Sequence, residues 1–283
     1  MKWILVLLTS TLAASFSVSC LEQNRDDQAS RLKITNGLSA REDQFQAVVL
    51  LVANFNSEKR LCTGTFVSDS KLLTAAHCLP QKPLDLWIIS PDSQGSGEQE
   101  PNLNMPKSYI IDAQALGFKV HPDYINDGSN NEFHPHDLAV VEFPIGTSAA
   151  FVRLATRIPD VDEDITLVGF GSDQAYEGEG EGVQFGKNIG IKRFGQSRVT
   201  GIEAGLLVSK GLLAQDHNGV GPGLWVATAQ GDSGGPMFHG SKLVAITSGG
   251  GVEQTSRGTQ VGVSKHVDLT NPSNVAFIQK VLD

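Results

Sequence analysis

Apolar residues in this chain come in short runs, broken by Gly, Pro, Asn, Asp and Ser. Between Gln46 and Phe55 the run Ala-Val-Val-Leu-Leu-Val-Ala reads as a buried strand. Phe66-Val67 and Leu72-Leu73-Thr74 flank a Ser68-Asp69-Ser70 turn, which predicts a hairpin. Further strands are predicted over residues 85–90, 110–120 and 138–143. In the second half they are predicted over 165–170, 191–202, 206–208, 224–227, 237–238, 243–247 and 261–263. The polar stretches 91–107 and 126–135, and the acidic, Gly-rich stretch 173–186, read as loops. One segment, 274–282, has helical spacing, with Val275, Ile278, Val281 and Leu282 on one face, Pro272 at its start and Asn271 as cap. Many short strands with almost no helix predict an all-β sandwich or barrel.

The N-terminus departs from this pattern. Lys2 precedes an apolar run from Trp3 to Leu8, extended by Leu12, Ala13 and Ala14, with Ser15, Ser17 and Ser19 after it. The run is too short to span a bilayer and predicts a secretory signal peptide over residues 1–19. Residues 20–33 are polar and aperiodic, and read as a pro-segment. No second long apolar stretch follows, so no membrane span is expected. The 283 residues carry 22 Lys and Arg against 31 Asp and Glu, a net charge of −9. Without a basic stripe to neutralise phosphates, nucleic-acid binding is excluded as the main role. An exported chain can keep disulfides, and the cysteines are Cys20, Cys62 and Cys78. Cys20 sits at the signal junction and has two readings. Ordinary cleavage leaves it as a free or intermolecular thiol; alternatively it bears the lipid of a bacterial lipoprotein, although Ser17 stands where such signals carry an apolar residue.

Candidate chemistry sits in three segments: Thr74-Ala75-Ala76-His77-Cys78, His136-Asp137-Leu138-Ala139-Val140 and Gly231-Asp232-Ser233-Gly234-Gly235-Pro236. A serine hydroxyl is a poor nucleophile until a base takes its proton, the base needs an orienting carboxylate, and the developing oxyanion needs donors. Glycines around Ser233 let the Gly231 and Ser233 N–H groups converge on one oxygen, worth about 3–4 kcal/mol per donor. The Ser233 segment also fits the G-x-S-x-G elbow of α/β-hydrolases. That elbow leads into a helix and has the order Ser, acid, His. Here Pro236 and Met237-Phe238 follow, and only Glu253 lies between Ser233 and His266.

With the order His77, Asp137, Ser233, the three segments resemble the trypsin/chymotrypsin-like serine peptidases, in a bacterial-type form. The resemblance covers about residues 34 to 283. It implies two six-stranded antiparallel β-barrels, about 34–155 and 156–283, with the site in the cleft between them. It implies a Cys62–Cys78 disulfide pinning the His77 loop, and a supporting role for Ser248 toward Asp137. Ile34-Thr35-Asn36-Gly37 resembles the family's mature start, so a cut after Lys33, by an activating protease or by the chain itself, is expected to free an α-amino group that pairs with Asp232. Activity should then fall at alkaline pH as that amine loses its proton.

In the same resemblance Ala227 is the base of the S1 pocket, beside Thr228, with walls from Ser248, Gly250 and Gly262. No aspartate stands there, so an apolar P1 side chain is expected; an acidic P1 held by Thr228 is the alternative. Ala229 stands where the family has a cysteine and Gly249 where it has a tryptophan, which predicts a looser pocket. The reaction is peptide-bond hydrolysis on polypeptide substrates by a monomer, with no metal or organic cofactor. His121 is read as part of a surface turn, and His134 and His136 as flanking Pro135. A non-catalytic binding protein on the same fold and an esterase with the same triad are the alternatives.

Overall fold

The computed structural model describes residues 34, 37–55, 59–79, 82–91, 109–125, 133–172, 175–177, 183–185, 189–212, 226–256 and 260–282, all within one unit, Leu32–Asp283. The expected signal peptide, the pro-segment, Cys20 and Lys33 lie outside the described residues.

In the first half the strands are β1 (Leu38–Ser39), β2 (Val48–Asn54), β3 (Lys59–Phe66), β4 (Lys71–Thr74), β5 (Asp85–Pro91), β6 (Tyr109–Gln114), β7 (Gly117–Val120) and β8 (Ala139–Glu142). Seven of them form an antiparallel sheet in the order β6-β5-β2-β3-β4-β8-β7. The single strand predicted over 110–120 bends at Ala115 and Leu116. Ala115 donates its N–H to Leu86 O on one edge, and Leu116 donates to Glu142 O on the other. One strand thus pairs with both edges of the sheet, β6 with β5 and β7 with β8. Six runs of chain close into a barrel, which removes the exposed edges.

The second half contributes β9 (Arg153–Leu154), β10 (Asp164–Gly169), β11 (Ala175–Glu177), β12 (Val183–Phe185), β13 (Arg193–Glu203), β14 (Leu206–Leu212), β15 (Pro236–His239), β16 (Lys242–Gln254) and β17 (Gln260–Asp268). The ring β13-β10-β15-β16-β17-β14 is closed by pairing of β13 with β14. Two short strands join it from outside, β1 against Phe194 and Arg193, and β9 parallel to Lys242 and Leu243. The first-half residues Leu38 and Ser39 therefore belong to the second sheet. The stretch 173–186 is not a plain loop, because β11 and β12 pair with Ala175 opposite Phe185. Conversely, Val226 and Ala227, the described part of the strand predicted over 224–227, form no strand, although Val226 donates its N–H to Gln196 O.

Period-two alternation divides the apolar residues into three cores. Along β2, Leu51 and Ala53 face the inside of the first barrel with Phe66, Leu72 and Val141. Val48, Leu50 and Val52 face the other way, toward Val168, Phe238 and Ile246 of the second barrel. Ile165, Leu167, Val199 and Met237 fill the second barrel, with Ile34 fully buried among them. Helix α1 (Pro272–Leu282) closes the chain. Asn271 caps it, its side-chain oxygen accepting the Ser273 N–H at 3.0 Å. Phe277, Ile278 and Val281 join the middle core, whereas Val275 is half-buried and Leu282 exposed. The buried face is thus rotated from the predicted one, because Phe277 packs on the His121 ring at 4.9 Å.

Candidate active site

Strand β4 and the turn after it carry His77. Beyond Thr74 the chain tightens into one 3-10 turn, Ala76–Cys78, with His77 at its centre. The disulfide between Cys62 and Cys78, Cα–Cα 6.4 Å, ties that turn to β3. Strand β8 pairs with β4, Ala139 opposite Thr74, which brings Asp137 alongside the turn.

The Asp137 carboxylate is 1% exposed, and its oxygens are occupied. Oδ1 accepts the His77 backbone N–H at 2.8 Å. Oδ2 lies 2.7 Å from His77 Nδ1 and accepts the Ser248 hydroxyl at 2.6 Å. Ser248 was expected to support Asp137 and to wall the pocket; its hydroxyl is turned to Asp137. Tyr124 responds to the same carboxylate. Burial, and secondly the Asp137 charge, push its phenol up to about 12.

Both barrels hold the serine loop. Thr63 of β3 donates its N–H to Ser233 O at 2.8 Å and its hydroxyl to Gly231 O at 2.9 Å, and accepts the Phe170 N–H at 3.1 Å. Gly234 donates to Thr247 O at 2.7 Å. Gly231 has φ +98°, a left-handed conformation that glycine adopts without strain. Among the described residues, the N–H groups of Gly231 and Ser233 have no acceptor. His77, Gly231 and Ser233 line one cleft of about 300 Å³, with Lys59, Arg60 and Ile189 on its other walls. Arg60 donates to His77 O at 3.0 Å. The disulfide sulfurs lie within 4.8 Å of a His77 ring nitrogen, but the bond between them leaves no thiolate for a metal.

Asp232 is 1% exposed, and Oδ1 and Oδ2 accept the N–H groups of Gly171 and Ala229, each at 2.8 Å. Burial raises its carboxyl to about 6, against the opposing pull of those two amides and of Arg193. Ala229, which stands in place of the expected cysteine, thus serves through its backbone.

Three contributions went unread in the sequence. Ala227 is buried, and the neighbouring Thr228 turns its N–H and hydroxyl to Ser264 Oγ, both at 2.9 Å. Gly250 and Gly262 lie on the adjacent strands β16 and β17. A Cβ at Gly249 would meet the Phe133 ring at 2.6 Å. An aromatic side chain from a stretch read only as a polar loop therefore packs against Gly249, the position where the family carries a tryptophan. Lys265 Nζ lies 5.2 Å from the same ring. Third, Thr63 joins the barrels through contacts that its sequence neighbours do not announce.

His121 and His136 pack against each other beneath the C-terminal helix. His121 is 2% exposed, which corrects its reading as a surface residue: α1 covers it. Its ring stacks on His136 at 4.5 Å, and His136 Nδ1 lies 2.8 Å from Asn274 Oδ1.

Comparison with known proteins agrees with this architecture. The Trypsin family profile matches residues 34–272, and the chain belongs to that family. Mouse Kallikrein-8 is 31% identical over 204 residues, 70% of each chain. Human Kallikrein-8 is 27% identical over 227 residues, 78% of each chain. Manduca sexta "Trypsin, alkaline B" is 24% identical over 228 residues, 77% of this chain and 81% of the relative. The solved structure of mouse neuropsin, described as a serine protease expressed in the limbic system of mouse brain, superposes with a TM-score of 0.57. It is 23% identical and covers 87% of this chain and 99% of its own, so the two share the chymotrypsin-like fold. Family membership makes this chain a serine-type endopeptidase. These relatives are animal proteins and give no support to a bacterial-type assignment or to lipid on Cys20. The disulfide agrees with an extracellular location.

Proposed function

We propose that this chain hydrolyses peptide bonds through an acyl-enzyme built on Ser233, with His77 as base and Asp137 as its orienting carboxylate. The observation that carries the reading is the pair of short contacts from Asp137 to one residue, His77 N at 2.8 Å and Nδ1 at 2.7 Å. They fix the Nδ1–H tautomer and leave Nε2 to accept a proton.

Ser233 Oγ attacks the scissile carbonyl while His77 Nε2 takes its proton. The carbonyl oxygen becomes an oxyanion, and the N–H groups of Gly231 and Ser233, without an acceptor among the described residues, are the donors for it. His77 then gives the proton to the leaving amine as the C–N bond breaks. Water repeats the sequence on the acyl-enzyme: His77 accepts its proton, the hydroxide adds to the ester carbonyl, and Ser233 leaves with the proton returned.

The S1 reading is an apolar P1 side chain. Ala227 offers no charge, and Thr228 already directs both of its donors at Ser264, so neither is free for an acidic side chain. The chain is made for export behind the signal at residues 1–19 and trimmed after Lys33 by another protease or by itself. Ile34 supports the trimming. This β-branched residue has φ +38°, an uncommon conformation whose strain depends on the preceding carbonyl, and a cut removes that carbonyl.

A fluorophosphonate probe tests the reading. One adduct per chain, located on Ser233 by peptide mass, with hydrolysis of a peptide amide as well as an ester, is the expected result. An intact, folded protein that takes up no probe is a binding module, and one that cleaves esters alone is an esterase.

A further inference from the structure

Arg193 is the largest fully buried side chain of the described residues, at 0% exposure. An arginine stays charged in any protein environment, so its burial requires interior partners. It opens β13, and Nη1 donates to Gly171 O at 2.8 Å and to Ile191 O at 3.1 Å. Gly171 is the residue whose N–H holds Asp232 Oδ1 at 2.8 Å. The guanidinium and the carboxylate therefore grip opposite ends of one residue. The seat is tight: a Cβ on Gly171 would lie 2.6 Å from Asp232 Cγ. Asp232 separates Gly231 from Ser233, so whatever fixes Asp232 fixes the two N–H groups assigned to the oxyanion.

We propose that Arg193 is a built-in counter-ion for Asp232, a positioning residue that holds the Gly231–Ser233 loop in its working form before any cut after Lys33. This rests on Ser233 being the nucleophile. The family resemblance gives the counter-charge to a freed α-amine at residue 34. In the full-length chain residue 34 is in peptide linkage and has no such amine, yet Asp232 is already seated. Arg193 also acts on Asp232 electrostatically, favouring its ionised form. Lys192, the neighbouring cation among the described residues, faces elsewhere: Nζ donates to Phe45 O at 3.0 Å and lies 5.7 Å from the Phe170 ring. Trimming of the leader and assembly of the oxyanion site are then separate events.

The charge type supplies the test. An α-amine titrates near pH 8, raised by pairing, whereas a guanidinium does not titrate in the working range. Full-length Lys33→Gln protein, verified uncut by intact mass, should label with a fluorophosphonate and cleave peptide at a rate within about threefold of trimmed wild type. Wild-type kcat should stay level from about pH 8 to 10. Arg193→Lys, with folding checked by circular dichroism, should acquire an alkaline loss of kcat, because a buried ammonium gives up its proton. Arg193→Gln should lose about a hundredfold in kcat with KM little changed, the signature of an oxyanion site out of place. An uncut Lys33→Gln protein that neither labels nor cleaves, beside a trimmed wild type that does both, overturns the proposal and leaves the peptidase reading standing. That comparison decides the matter even if both Arg193 variants fail to fold. If trimmed wild type is also unreactive, the peptidase reading falls with it.

Discussion

Asp137 holds its place through an unusual density of contacts for one side chain. His77 occupies both oxygens and Ser248 shares Oδ2 at 2.6 Å. A hydrogen bond to a charged acceptor contributes about 1.5–3 kcal/mol. Ser248→Ala should therefore lower kcat by about tenfold with KM nearly constant, since the bond acts on His77 orientation and not on substrate; steady-state kinetics on a peptide amide measures both. At this scale the sequence was most legible where residues sit in their own motif: His77 and Asp137 come into contact, and Ser233 lines the same cleft as His77. Thr63, Ser264 and Phe133 were not legible, because each acts on residues distant in the chain. Thr63 reaches Gly231, 168 positions away, and nothing in Cys62-Thr63-Gly64 marks it.

Among the elements, the 3-10 turn carrying His77 is too short to hold itself, since one such turn has few internal hydrogen bonds. The disulfide substitutes for that, closing a loop of 16 residues. Loop-closure entropy for that length is worth about 3 kcal/mol. A Cys62→Ala, Cys78→Ala double variant should lose stability of that order in urea unfolding, and its kcat should fall further than its folded fraction explains. Most strands were readable because both faces of β2, β8 and β10 are buried, which yields unbroken apolar runs. The bend at Ala115 and Leu116 was not, since it follows from the need to pair with two edges at once. Nor was the β11–β12 hairpin, whose acidic and Gly-rich composition matches a loop. The face of α1 was misjudged because its buried side includes Asn274, a polar residue spent on Pro135 O and Asp268 O.

For the molecule as a whole, two buried groups shape the response to acid. Burial pushes His266 down to about 3, and it lies neutral between Ser209 Oγ and Thr247 Oγ1. The unfolded chain protonates this histidine below about pH 6.5 while the fold does not. Its contribution is therefore present above that pH and is lost as pH falls toward 3. Asp232 has the opposite sign: raised to about 6, it favours the fold below its ordinary pKa and loses that advantage as pH rises through 6. Between about pH 4 and 6 the two slopes oppose each other. His266→Asn, whose amide can still serve Ser209 and Thr247, removes one of them. Relative to wild type, the variant should gain about 1.4 kcal/mol of unfolding free energy for each pH unit lowered across that window. Urea midpoints at pH 4, 5 and 6 give the slope; parallel curves for the two proteins would refute the assignment. Two antiparallel barrels were implied by a resemblance that rested on three short segments. The apolar layer that the barrels share, from Val48 to Val281, is a product of packing and could not be read from any one run.

The central claim is that Ser233 and His77 act as one unit in breaking the peptide bond. Its most direct measurement is kcat/KM on a peptide amide for Ser233→Ala, His77→Ala and the double variant. Residues of one unit are strongly non-additive. Each single change should cost about four orders of magnitude or more, and the second change almost nothing further. Losses that multiply, or hydrolysis undiminished without the Ser233 hydroxyl, would contradict the account.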